Sequence, residues 1–232
     1  MQAPTNKQEF KYGTLYLSAN HIGCVDDIPP RALELQKTCD LVVFEENRQA
    51  RRVLKQAGVT RQWLRYNEHH QEDSLEQIRE TLKSGKNVIY MSDQGCPTLA
   101  DPGKNLLRLA YALKARVKMI PGPSAITAAI SACPFDLERF VYQGFLSQKT
   151  TQRSQEIIKI SKEKMPIIIL DTPYRLSNLL SSFKDQGLSK KIFIAFDITG
   201  EDEQYCVGSA SELCKLNSEK NKRNFVLIIE GQ

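Results

Sequence analysis

Short runs of β-branched and large apolar residues alternate with helix-spaced apolar patterns along nearly the whole chain, and this alternation limits the fold more than any other feature. Residues 13–18, 41–44, 63–66, 87–92 and 117–120 read as strands. Between them, Pro29-Pro30 opens a helix through residue 37, proline suiting its first turn, and residues 48–56 read as a second helix. A third helix is expected from Ser74 as cap, with Leu75, Ile78 and Leu82 at helical spacing, and a fourth over 106–113. Ser124 is expected to cap an Ala-rich helix reaching about Cys133. Residues 134–138 break the pattern, which then restarts. Residues 140–142, 167–170, 192–198 and 225–229 read as strands, and 152–162 and 174–183 as helices. Strands alternating with helices require a mostly parallel sheet with helices on its faces. The expectation is therefore an α/β fold of two consecutive domains, residues 1–136 and 137–232, each built on a mostly parallel sheet.

Composition narrows the class. The chain has 232 residues, 41% hydrophobic and 25% charged, which is enough apolar matter for a folded core and excludes a disordered chain. Lys and Arg number 32 against 27 Asp and Glu, a net charge of +5 that permits an anionic partner without requiring one. No apolar run approaches the ~20 residues of a membrane span. The first seven residues lack the apolar segment of a secretory signal, so a cytoplasmic location is expected. Cysteines at 24, 39, 96, 133, 206 and 214 form no CxxC pair and stand at no zinc spacing from a histidine. They read as reduced structural thiols, and no metal is expected.

Open α/β sheets bind ligands in the loops at the carboxyl ends of their strands. The first such loop, Ser18-Ala19-Asn20-His21-Ile22-Gly23-Cys24, carries neither GxGxxG nor a P-loop. That argues against nicotinamide enzymes, NTPases and the common Gly-rich design for S-adenosylmethionine (SAM). The loop after 87–92 holds Gly95, Pro97, Pro102 and Gly103, a rigid backbone able to offer polar groups at fixed positions. Asp93 there suits a ribose diol or an amine, and equally a helix cap. Small residues after Pro121-Gly122-Pro123, notably Ser124 and Ala125, leave room at a helix start, close helix–sheet packing being the plainer reading. Asp171-Thr172-Pro173 and Phe196-Asp197 place polar groups at later strand ends and, taken singly, read as caps or turns. The most basic patch is Arg48, Arg51 and Lys55 on one helix face with Arg52 beside it. It is either a phosphate-binding face or a solvated one paired with Glu45 and Glu46.

The ordered set of motifs is more specific than any member. Gly13-Thr14-Leu15-Tyr16, Asp26-Asp27-Ile28, Arg31-Ala32-Leu33-Glu34, Glu45-Glu46-Asn47-Arg48, Ser92-Asp93-Gln94-Gly95, Asp101-Pro102-Gly103, Pro121-Gly122-Pro123-Ser124, Gly144-Phe145-Leu146 and Thr172-Pro173-Tyr174-Arg175 follow in sequence. In these the chain resembles the tetrapyrrole-methylase superfamily of SAM-dependent methyltransferases. It is most similar to the branch that 2′-O-methylates a cytidine of small-subunit ribosomal RNA. The resemblance implies two α/β domains with SAM in the interdomain cleft, a homodimer, and ribosomal RNA as partner. It implies cofactor contacts at Ser92, Asp93, Gly95, Leu99, Ser124, Ala125, Asp171, Thr172, Pro173, Phe196 and Asp197. For the ribose hydroxyl, Glu46, Glu68 and His21 are the candidate bases, with Arg48, Arg51 and Arg52 on RNA phosphates. The chain departs from the branch at Asn20-His21, where Thr-Pro is usual, and at Glu46-Asn47, where Asp-Thr is usual. Methylation of a small acceptor such as a tetrapyrrole, or SAM binding without catalysis, are the alternatives.

Overall fold

A computed structural model describes residues 11–67, 71–99, 103–216 and 222–231. They divide into two compact units, one holding positions up to 21 together with 25–123, the other 22–24 together with 124 onward.

The first unit is built on strands β1 (Thr14–Ser18), β2 (Leu41–Phe44), β3 (Leu64–Arg65), β4 (Val88–Met91) and β5 (Arg116–Ile120). They form one sheet in the order β3-β2-β4-β1-β5, parallel throughout. Central β4 is buried along its whole length, as a strand covered on both faces must be. Its alternate side chains serve two cores. Val88 and Tyr90 pack under α3 (Gln71–Lys83) and α4 (Lys104–Ala112), while Ile89 and Met91 pack under α1 (Pro30–Thr38) and α2 (Asn47–Ala57). Ser74 does not open α3. It lies inside the helix, and its hydroxyl donates to the Arg65 carbonyl at 2.8 Å.

The second unit carries β6 (Val141–Gly144), β7 (Ile167–Asp171), β8 (Ile192–Phe196), β9 (Gln204–Gly208) and β10 (Phe225–Ile229), in the order β6-β7-β10-β8-β9. Here the expectation of a mostly parallel sheet fails. Only β6–β7 is parallel, and β10 runs antiparallel to both β7 and β8, as β9 does to β8. The cause is β9, unforeseen in the sequence, which hairpins back from β8. After α8 (Ala210–Leu216) the chain then re-enters between β7 and β8. One face of this sheet packs under α6 (Thr150–Lys162), α7 (Leu176–Asp185) and α8. The other packs under α5 (Ala125–Ala132), whose fully buried Ala129 clusters with Ile168, Phe193, Val226 and Ile228. Helix α5 therefore belongs to the second unit, and the division falls after Pro123 instead of near 136.

Candidate functional site

In the first sheet the carboxyl ends of β1, β2, β4 and β5 are level, since Ser18 pairs with Met91 and Ile120, and Phe44 with Met91. The loops that follow leave from one edge. Asn20, fully buried, ties two of them together. Its Nδ2 donates to the carbonyls of Ser92 and Asp93, each at 3.0 Å, and its Oδ1 accepts the His21 N–H at 2.8 Å. Its own N–H donates to the Gly95 carbonyl at 2.9 Å. The Ser92 hydroxyl donates to that same carbonyl at 2.8 Å. Gly95 sits at φ +65°, a conformation glycine adopts without a Cβ penalty. The 92–95 loop thus has a fixed shape, held from within by Asn20 and Ser92, leaving half-buried Asp93 and exposed Gln94 toward its surface. Further along, Thr98 stands at φ +73° and Leu99 is exposed. A left-handed non-glycine residue stores strain of order 1–3 kcal/mol, typical of segments shaped for a ligand. Asn20 was not foreseen as a site residue.

The candidate bases separate. His21 is buried at 1% exposure, and its carbonyl receives the Gly95 N–H at 3.4 Å. Its ring lies in the interior, while its main chain helps fix the 92–95 loop. Glu46 is exposed just before α2, and its Oε1 accepts from Arg65 Nη2 at 2.7 Å and Asn67 Nδ2 at 3.3 Å. Glu68 lies outside the described residues. Glu45 accepts the hydroxyl of buried Tyr90 at 2.6 Å, and Tyr90 meets Tyr66 edge-on at a centroid distance of 6.0 Å. Arg48, Arg51 and Arg52 all face solvent, opposite the buried Ala50, Val53, Leu54 and Ala57. Glu45 and Glu46, at the start of this helix, bond Tyr90 and Arg65.

In the second unit Asp171 closes β7 and Phe196 closes β8, both opposite Phe225 of β10, so the two tips share one sheet end. Asp171 Oδ1 accepts the Thr172 N–H at 2.7 Å and faces Arg175 Nη1 at 3.2 Å. Its Oδ2 is buried without a hydrogen-bond partner. Burial pushes the Asp171 carboxyl above its ordinary pKa, opposed by the Thr172 N–H and by Arg175 and Arg153. An unsatisfied buried acceptor costs about 1–3 kcal/mol, which an N–H from a ligand would relieve. Thr172 and Pro173 lead into a single 3-10 turn, Pro173–Arg175. Asp197 is occupied structurally: Oδ2 accepts from Arg223 Nε at 2.7 Å and Oδ1 from the Asn224 N–H at 3.0 Å. Phe196 is buried beneath the Arg223 guanidinium at 4.7 Å. Ser124 precedes α5 without a side-chain capping bond, contrary to expectation, and Ala125 packs into the α5 core.

Gly23 is packed for close approach. A Cβ there would lie 2.5 Å from the Ile198 carbonyl oxygen and 2.7 Å from the Gly200 nitrogen. The Cys24 N–H donates to Thr199 Oγ1 at 3.0 Å beside it. At the opposite end of the second sheet, a cavity of about 390 Å³ is lined by Phe135, Arg139, Lys164, Met165 and Glu230 among others. None of the expected site residues lines it.

Residues 22–214 match the family model described as Tetrapyrrole (Corrin/Porphyrin) Methylases. The chain is 31% identical over 221 residues to "Ribosomal RNA small subunit methyltransferase I" of Synechocystis sp., covering 94% of this chain and 79% of that protein. It is 30% identical to the protein of that name from Bacillus subtilis, covering 94% and 75%. Among solved structures it is similar to a cobalamin biosynthetic enzyme, cobalt precorrin-4 methyltransferase, at TM-score 0.68 and 15% identity over 94% of each chain. Uroporphyrin-III-C-methyltransferase from Thermus thermophilus gives TM-score 0.66 at 14% identity, again over 94% of each chain.

Proposed function

The chain belongs to the tetrapyrrole methylase family and is a SAM-dependent methyltransferase, and from that premise we propose that it methylates ribosomal RNA, at the ribose 2′-hydroxyl of a cytidine. The observation that carries this reading is the α2 face on which Arg48, Arg51 and Arg52 stand exposed. Three guanidiniums on one helix, none in an ion pair among the described residues, suit a polyphosphate backbone. Relatives named for ribosomal RNA match at 30–31% identity across 94% of the chain, which supports the same acceptor. The tetrapyrrole enzymes match at 14–15%, a likeness of fold alone.

SAM supplies a methyl group on a good leaving group. The chain's residues fit such a ligand on two counts: the 92–95 loop has a fixed backbone, and Asp171 holds a buried acceptor without a donor. Cofactor contacts are assigned to Asp93, Gly95 and Leu99 in the first unit and to Ser124, Ala125, Asp171, Thr172 and Pro173 in the second. Ser92, Phe196 and Asp197 shape the loops that carry them. Arg48, Arg51 and Arg52 hold phosphates, which fixes the register of the strand. Glu46, oriented by Arg65 and Asn67, receives the hydroxyl proton. General-base help of this kind contributes ~10²-fold or more. Among the described residues no helix is long and apolar enough to cross a membrane. A cytoplasmic homodimer is the working assembly we assign on the strength of the family resemblance.

The test is the salt dependence of binding to a small-subunit ribosomal RNA fragment. Replacing Arg48, Arg51 and Arg52 together with Ala should reduce the slope of log K against log salt by about 2, at ~0.7 per lost single-strand phosphate contact. An unchanged slope overturns the assignment.

A further inference from the structure

At the carboxyl end of the second sheet two aromatic side chains face solvent, and neither belongs to the cofactor assignment. Tyr174, in the turn after β7, is 70% exposed, and Phe145, just after β6, is 48% exposed. The Lys222 ammonium lies over the Tyr174 ring, 4.7 Å from its centroid. The two turns are tied together: Arg175 Nη2 donates to the carbonyls of Leu146 and Ser147 at 2.7 and 3.1 Å. Arg153 Nη1 adds bonds to the Ser147 and Gln148 carbonyls at 3.3 and 3.1 Å, and Glu156 accepts the Ser147 N–H at 2.8 Å. Both rings therefore stand on backbone that is cross-braced from below.

Three acids at this end are engaged: Asp171 by Arg175 and the Thr172 N–H, Asp197 by Arg223 and the Asn224 N–H, and Glu156 by the Ser147 N–H, while Glu201 and Asp202, in the loop after β8, are exposed. Lys149 and Lys222 remain exposed at this rim. Exposed aromatic rings beside exposed lysines are the elements from which single-strand binding surfaces are made. Every base has a π-face to stack, and the ammonium serves both the ring and a neighbouring phosphate.

We propose that Tyr174 and Phe145, with Lys222 and Lys149, form a stacking platform for unpaired bases of a single-stranded RNA, a substrate-binding surface separate from the arginine face of α2. The inference rests on the RNA reading above. It assigns to the second unit the task of holding splayed bases, while the arginines of α2 hold phosphates. The Tyr174 face turned away from Lys222 takes the base, and Lys222 reaches the adjoining phosphate.

The experiment measures the Kd of a fluorescein-labelled 12-residue oligocytidine, with SAM affinity followed by calorimetry on the same preparations. Tyr174→Ala and Phe145→Ala should each weaken oligonucleotide binding about 5- to 150-fold, the range of one lost base–aromatic stack. Tyr174→Phe should bind as wild type, because the ring and not the hydroxyl does the stacking. Lys222→Ala should lower the salt slope by about 0.7, whereas Tyr174→Ala should leave it unchanged. SAM affinity should stay within twofold throughout. The platform is overturned if Tyr174→Ala binds RNA normally, if Tyr174→Phe is as weak as Tyr174→Ala, or if SAM and RNA affinities fall together. Failure of the wild-type protein to bind any RNA would remove the RNA reading itself, whereas wild-type binding that ignores both rings removes only the platform.

Discussion

Replacing Asn20 with Ala should unlock the loop that the cofactor assignment depends on. The side chain makes three hydrogen bonds, to the Ser92 and Asp93 carbonyls and from the His21 N–H. All its atoms are in the interior, so water cannot replace them. At ~1 kcal/mol for each lost bond, the variant should lose about 3 kcal/mol. For a chain of this length each kcal/mol is worth about 2–4 °C, so Tm should fall by about 6–12 °C. Asn20→Asp should do at least as badly, because it keeps the acceptor for His21 but sets a charged oxygen against two carbonyls. The assay is a thermal melt followed by calorimetry with SAM at a temperature where the variant is folded, and SAM affinity should fall as well. A Tm within about 2 °C of wild type, with SAM affinity retained, would refute the idea that Asn20 shapes this loop.

Three further outcomes follow from single side chains. Gly23→Ala places a Cβ against the backbone of Ile198, Thr199 and Gly200, which no rotamer change relieves, so the urea midpoint should fall by the equivalent of about 1–3 kcal/mol; an unchanged midpoint contradicts the close approach. Burial raises the Asp171 pKa in the folded state, so its ionised form costs stability above that pKa, and the cost fades as pH falls toward the unfolded value near ~3.9. Asp171→Asn carries no such cost, and the stability difference should move in favour of wild type as pH is lowered from 7 toward 4; a gap that stays constant, or moves the other way, contradicts the burial argument. Burial also pushes the Cys39 thiol up to about 11, so in the native protein at pH 8 it should react with Ellman's reagent more slowly than half-exposed Cys24 or Cys96.

The first unit was legible because its signals are local and regular. Strands β2 and β4 are unbroken apolar runs, the helices carry apolar stripes, and parallel order follows from alternation alone. In the second unit those rules ran out at β9, where Gln204-Tyr205-Cys206-Val207-Gly208 is a mostly exposed edge strand without a buried run to mark it. Missing β9 meant missing the hairpin that turns β10 antiparallel. Helix α5 was assigned to the wrong unit for a related reason: its sequence says that it is apolar, not which sheet it covers. Within the site, charge could be read and burial could not. The exposed arginines of α2 were visible from their spacing, whereas His21 and Asn20 differ from surface residues only in depth, which no spacing reveals. Asp171 was found through the family resemblance, and its unsatisfied Oδ2 became evident only from the packing around β7.

The account stands or falls on where a labelled methyl group goes. Incubated with radiolabelled SAM and a small ribosomal subunit lacking the modification, the protein should transfer label to RNA. The phosphodiester bond after the labelled nucleotide should resist alkali, because a 2′-O-methyl group cannot attack it. Label on a tetrapyrrole and none on RNA, or label on a base with an alkali-sensitive bond beside it, would contradict the account.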